Sequence, residues 1–144
     1  MITQISNSAA WTSTIDEFIT RDVPIVKATD DIKVVAEKFR NTPHRTVLVA
    51  DPTTDKLAGL ITSKDLTKLA EKSSGVAKDI ASSGNVVAIR NDAQVWQLLK
   101  IMNGENALGR PLDTLPVVDA DGKPQGVVKR DTLRGITLNL PTAQ

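Results

Sequence analysis

The chain states one pattern twice. Val-Leu-Val-Ala-Asp at 47–51 leads to Gly-Leu-Ile-Thr-Ser-Lys-Asp-Leu at 59–66, and Leu-Pro-Val-Val-Asp at 115–119 leads to Gly-Val-Val-Lys-Arg-Asp-Thr-Leu at 126–133. The offset is 68 from Asp51 to Asp119 and 67 from Gly59 to Gly126, so one unit is duplicated. A unit of this length is too small to bury a core alone. The two copies are therefore expected to pack together and to leave related clefts between them, which suits a ligand-binding module.

Both copies show the same order of apolar periods. In the first, Thr14-Ile15-Asp16-Glu17 reads as a capping box opening a short helix that carries Ile15, Phe18 and Ile19. Val23-Pro24-Ile25-Val26 reads as an edge strand, because proline has no donor for a ladder. Ile32, Val35, Ala36 and Phe39 recur at helical spacing, and Asn41-Thr42-Pro43 ends that helix. Thr46 to Ala50 and Leu57 to Ile61 make a hairpin around Asp51-Pro52-Thr53-Thr54-Asp55. A helix with Leu66, Leu69 and Ala70 on its buried side follows, with Thr62 or Ser63 as cap and Asp65 in its first turn.

The second copy runs in parallel. Val76 to Ile80 mirrors the opening helix, Val86 to Ile89 the edge strand, and Val95, Leu98, Leu99 and Met102 the helical stripe. The early offset is 63, from Ile32 to Val95, so about five extra residues fall within Gly104–Pro111, between helix and hairpin. Leu115 to Val118 and Gly126 to Val128 form the second hairpin, and Leu133, Ile136 and Leu140 stripe a last helix that Pro141 stops. The expected organisation is a polar, flexible leader over 1–12, one repeat over 13–74 and the other over 75–144. Each repeat is an α+β unit of about β-α-β-β-α with a short leading helix.

Order and motifs together resemble tandem cystathionine β-synthase (CBS) domains, the pair called a Bateman module, over roughly residues 14–140. The resemblance implies pseudo-two-fold packing, homodimerisation, and two clefts that hold AMP, ADP, ATP or S-adenosylmethionine. It implies regulation rather than catalysis, on the cytoplasmic side when the host is a membrane protein. The host or effector is not written in the chain. A ligand-free dimerisation or docking module of a transporter, channel or membrane protease is the competing reading.

The first Gly-x-x-Thr-x-x-Asp turn fits such a ligand physically, since a hydroxyl, a carboxylate and free helix-start amides converge where strand meets helix. By resemblance Thr62 and Asp65 hold phosphate or ribose; a plain helix would use Asp65 only to complement its dipole. Asn41-x-x-His44-Arg45 with Thr62-x-Lys64 is similar to the γ subunits of AMP-activated protein kinases, which implies phosphate contacts for His44, Arg45 and Lys64. His44 and Arg45 serve equally as a solvated loop at a helix end. The second turn departs from the pattern: Lys129 stands at the threonine position and Thr132 at the aspartate position. Asp131 comes one residue early, a rotation of about 100° on a helix. Lys129 and Arg130 remain candidates for contacts to a ligand held by the first turn. The resemblance places the base against Val23, Pro24, Ile25 and Val47, residues a plain core would also use.

Composition narrows the alternatives. There is no cysteine and one histidine, so no nucleophile with its base, no metal site and no Gly-rich phosphate loop is recognisable, and an enzyme is not expected. A net charge of +1 and 3% aromatic residues argue against nucleic acid, and no apolar run approaches the ~18 residues of a membrane helix.

Overall fold

A computed structural model describes residues 8–71, 74–81, 86–134 and 137–139. Its architecture is α+β, two three-stranded sheets each backed by helices. In the first copy, β2 (Ile25–Lys27) pairs in parallel with β3 (Thr46–Ala50), which pairs antiparallel with β4 (Leu57–Thr62). Between them runs α1 (Ile32–Asn41), capped by the Asp31 carboxylate on the Lys33 amide, and α2 (Leu66–Glu71) follows β4. The second copy repeats this with β5 (Ile89–Arg90), α3 (Val95–Met102), β6 (Thr114–Val118), β7 (Pro124–Lys129) and α4 (Arg130–Arg134). Even the irregularities recur, a register shift at Val49/Ala50 and another at Val117/Val118.

The hairpin turns also repeat. The Asp51 carboxylate accepts from the amides of Thr53 and Thr54, and that of Asp119 from the amides of Asp121 and Lys123. The amides of Thr54 and Thr53 hold the Asp51 carboxyl below its ordinary range.

Each core is finished by a segment of the other copy. The 3₁₀ turn Asp16–Phe18 sends Ile15 and Phe18 into the core of the second sheet, beside Val95, Leu98 and Leu115. The turn Ala77–Asp79 sends Ala77 and Ile80 into the first, beside Val35, Phe39 and Val47. Backbone bonds fix both exchanges: Ile15 N–H to Ala93 O at 3.0 Å and Val95 N–H to Ser13 O at 2.9 Å on one side, Ala77 N–H to Asp30 O at 2.8 Å and Ile32 N–H to Gly75 O at 3.1 Å on the other. At the seam Val23, Leu48 and Val127 form a small third cluster. Thr20 and Val127 exchange both backbone bonds there, and Gly126 has no room for a side chain because a Cβ would lie 2.2 Å from the Thr20 carbonyl oxygen.

Several expected details differ. The opening helices are single 3₁₀ turns, and no side chain caps the first of them, so Thr14 and Glu17 do not form the expected box. The second edge strand is limited to Ile89–Arg90. Ala70 is exposed rather than on a buried face. Part of the leader, Ser8–Ala10, is a strand β1 in parallel register with β8 (Thr137–Asn139), where the final helix was expected to continue. Ile136, Leu140 and Pro141, assigned to that helix, lie outside the described residues.

Two outcomes test this architecture. Ile80→Ala removes a fully buried side chain that the second copy lends to the first core, and it is expected to cost about 2–5 kcal/mol in urea unfolding while keeping one cooperative transition. Because the folded-state pKa of Asp51 is depressed, its contribution is present above the ordinary carboxylate pKa and disappears as pH falls through the lowered value. Asp51→Ala should therefore narrow the stability gap between neutral pH and about pH 3 relative to the parent chain.

Candidate functional site

Strand alternation decides what faces the seam between the copies. In β3, Val47 and Val49 point into the first core, while Leu48 joins the seam cluster. Thr46, on the seam face, pairs with Thr62, and Leu48 pairs with Leu60. In β6 and β7 the same rule buries Leu115, Val117 and Val128 in the second core and leaves Thr114 and Pro116 paired with Lys129 and Val127. Thr46, Leu60, Thr62, Thr114, Pro116 and Lys129 together floor a cavity of about 610 Å³ at the seam.

The lining of this cavity is rich in cations. His44, Arg45 and Lys64 line it from the first copy, and Arg110 and Lys129 from the second. Arg45 adopts a left-handed backbone, φ 56°, which a non-glycine residue adopts only at some cost, and its guanidinium lies 5.8 Å from the centre of the Phe39 ring. His44 Nε2 is 2.7 Å from the Asp22 carboxylate, and the His44 carbonyl accepts from Lys129 Nζ, which ties the two copies together at the cavity edge. The same lining carries apolar side chains from Leu60, Val86, Val87, Leu108, Pro111 and Leu112. Cations and apolar side chains lining one cavity can hold an anionic head and a flat or apolar body at once.

Asp65 stands behind this surface. It is 4% exposed and is not among the lining residues; its Oδ2 accepts from the Thr62 amide at 2.9 Å and from the Thr62 hydroxyl at 3.5 Å, and Lys68 Nζ lies 3.6 Å from Oδ1. The carboxylate thus fixes the turn that presents Thr62, Ser63 and Lys64. Arg130 has a comparable role on the other copy. Its guanidinium donates to the carbonyls of Met102 and Leu112, the latter from Nε at 3.1 Å, and so pins both ends of the lengthened loop. Inside that loop the Asn106 side chain bonds the Ile101 and Arg110 carbonyls and the Leu108 and Gly109 amides. Leu108, Arg110 and Pro111 reach the cavity on this braced loop.

Of the residues singled out in the sequence, the structure brings Thr62, Lys64, His44, Arg45 and Lys129 to one cavity. It does not bring Val47, buried in the first core, or Val23, buried at the seam, or Pro24 and Ile25; Ile25 is 45% exposed on the edge strand. The apolar wall comes instead from Val86 and Val87. These are the duplicates of Val23 and Pro24 at the offset of 63, so the repeat itself carried the signal. Thr46 and Leu60 follow from the two-residue strand period, whereas Arg110 and Leu108 sit in the insertion, where no period applies.

A family model described as CBS domain matches the chain twice, over residues 15–72 and 77–137. The chain belongs to the CBS domain family. It is a tandem CBS pair, a Bateman module, and solved CBS pairs share its fold. CBSX2, a CBS-pair protein from Arabidopsis thaliana, solved in complex with AMP, is 21% identical over 84% of this chain and 93% of its own, with a TM-score of 0.64. The cytosolic domain of the Mg2+ channel MgtE, solved with ATP, is 20% identical over 84% of this chain and 47% of its own, with a TM-score of 0.67. The CBS domain pair of protein MJ0100, solved with 5'-methylthioadenosine and S-adenosyl-L-methionine, is 20% identical over 85% and 93%, with a TM-score of 0.65. No curated protein sequence matches significantly. The family match indicates no enzymatic class, and among the described residues no helix is long and apolar enough to cross a membrane.

The CBS turn supplies its own prediction. Asp65→Ala removes the acceptor of the Thr62 amide, and the ligand-free protein is expected to remain folded but to lose about 1–3 kcal/mol in urea unfolding. Asp65→Asn, which keeps an acceptor oxygen, should lose less.

Proposed function

We propose that this CBS pair is a regulatory, non-catalytic sensor that binds an adenine nucleotide or another adenosyl compound in the seam cavity and passes its occupancy to a partner or host protein. The observation that carries the reading is the presence, in one cavity of about 610 Å³, of Arg45, Lys64, Arg110 and Lys129 together with the apolar side chains of Val86, Val87 and Leu108. Phosphate oxygens satisfy the cations, by a fork at arginine and as a point charge at lysine, and a base covers the wall. Thr62 and His44 add polar contacts, while Asp65 acts by holding the Thr62–Lys64 turn. Support also comes from relatives of the same fold, which were solved with AMP, with ATP and with S-adenosylmethionine. Because both copies contribute walls, a ligand that bridges them favours the closed arrangement of the pair, and this shift is the signal. The regulated protein works on the cytoplasmic side, and the module acts as a homodimer.

Differential scanning with AMP, ADP, ATP and S-adenosylmethionine tests the reading. At a hundredfold excess over Kd, the true ligand stabilises the fold by about 2.7 kcal/mol and raises Tm accordingly. Arg45→Ala or Lys64→Ala should weaken that ligand about tenfold, the loss of one charge-assisted contact. If no adenosyl compound moves Tm, the ligand-free docking reading replaces this one. Light scattering at a mass twice that of the chain is the expected result for the dimer.

A further inference from the structure

The two clefts of the pair are unequal, and the inequality lies at positions that the duplication relates. Arg45 and Lys64 of the first copy correspond to Asp113 and Asp131 of the second, at offsets of 68 and 67. The second turn borders a cavity of about 320 Å³ lined by Asp113, Thr114, Lys129, Arg130 and Asp131. Two carboxylates there offset two cations, and none of the five lining side chains offers an apolar face to a base. The larger cavity sets four permanent cations against one lining carboxylate, Asp113, and that group lies 3.6 Å from Arg130 Nε. No ion pair to Arg45, Lys64, Arg110 or Lys129 occurs among the described residues.

The wall differs as well. Leu108 and Pro111 reach the larger cavity on the loop between α3 and β6, which the first copy shortens to Thr42–Arg45 between α1 and β3. A base in the smaller cleft therefore lacks the duplicate of that wall. Lys129 lines both cavities, and its ammonium reaches across to the His44 carbonyl of the first copy.

We infer that the chain takes one anionic, base-bearing ligand and not two, because the second copy has become the other half of the first copy's site. It contributes Arg110 and Lys129 to that ligand, and its own cleft, with carboxylates where the first has cations, offers a phosphate no net attraction. This rests on the function proposed above and adds its stoichiometry and a further specificity-determining residue, Arg110.

Isothermal titration of the full chain with ATP and with AMP is the test. One equivalent per chain is expected, and two equivalents, or half of one, overturn the inference. Arg110→Ala should weaken ATP about tenfold or more with an unchanged Tm of the ligand-free protein, since Asn106 holds the loop through the Arg110 backbone carbonyl. Asp131→Ala, in the smaller cleft, should leave stoichiometry unchanged and Kd within twofold. ATP bound by Arg110→Ala as tightly as by the parent also overturns it. No change of Tm with AMP, ADP, ATP or S-adenosylmethionine removes the proposed function itself, whereas two equivalents per chain leaves that function standing and removes only the inference.

Discussion

Neither half of this molecule completes its own core. Ile15 and Phe18 of the first copy sit among Val95, Leu98 and Leu115, and Ala77 and Ile80 of the second sit among Val35, Phe39 and Val47. At about 1.5–3 kcal/mol for each large apolar side chain, these exchanged groups contribute as much as a small domain has in net stability. The copies are therefore one folding unit, and the space between them is a property of the fold rather than an accident of docking. Thr20, held against Gly126 and Val127, ties the first copy to the second at the seam.

The chain disclosed its duplication, its strands and most of its helices because each depends on short-range periods. It also disclosed the first turn, since Thr62, Lys64 and the His44-Arg45 pair sit at strand and helix boundaries that punctuation marks. What it concealed was direction. Val47 and Thr46 are neighbours in sequence and face opposite ways, so a single-residue error in strand phase turns a cavity residue into a core residue. Asp65 reads in the sequence as a group offered to a ligand, and in the ligand-free fold the nearest free amide of the helix-start turn, that of Thr62, already binds one of its oxygens.

The second copy was harder to read because its residues had changed partners. Arg130, which the sequence suggests as a phosphate contact, donates in the ligand-free fold to the carbonyls of Met102 and Leu112. That side chain instead secures an inserted loop that no repeat predicts, and through the loop it governs where Leu108 and Arg110 stand. The apolar lining of the cavity shows the opposite case. Val86 and Val87 were legible by transferring Val23 and Pro24 across the duplication, provided the exchange between copies was recognised.

The short ladder between Ser8–Ala10 and Thr137–Asn139 gives this arrangement a mechanical consequence. Two parallel strands bonded side by side keep their spacing fixed for as long as the ladder survives. When one lobe tilts against the other, both strands are carried along together. A load on either strand is then shared across the ladder as a turn about one corner, not as a pull between separate anchors.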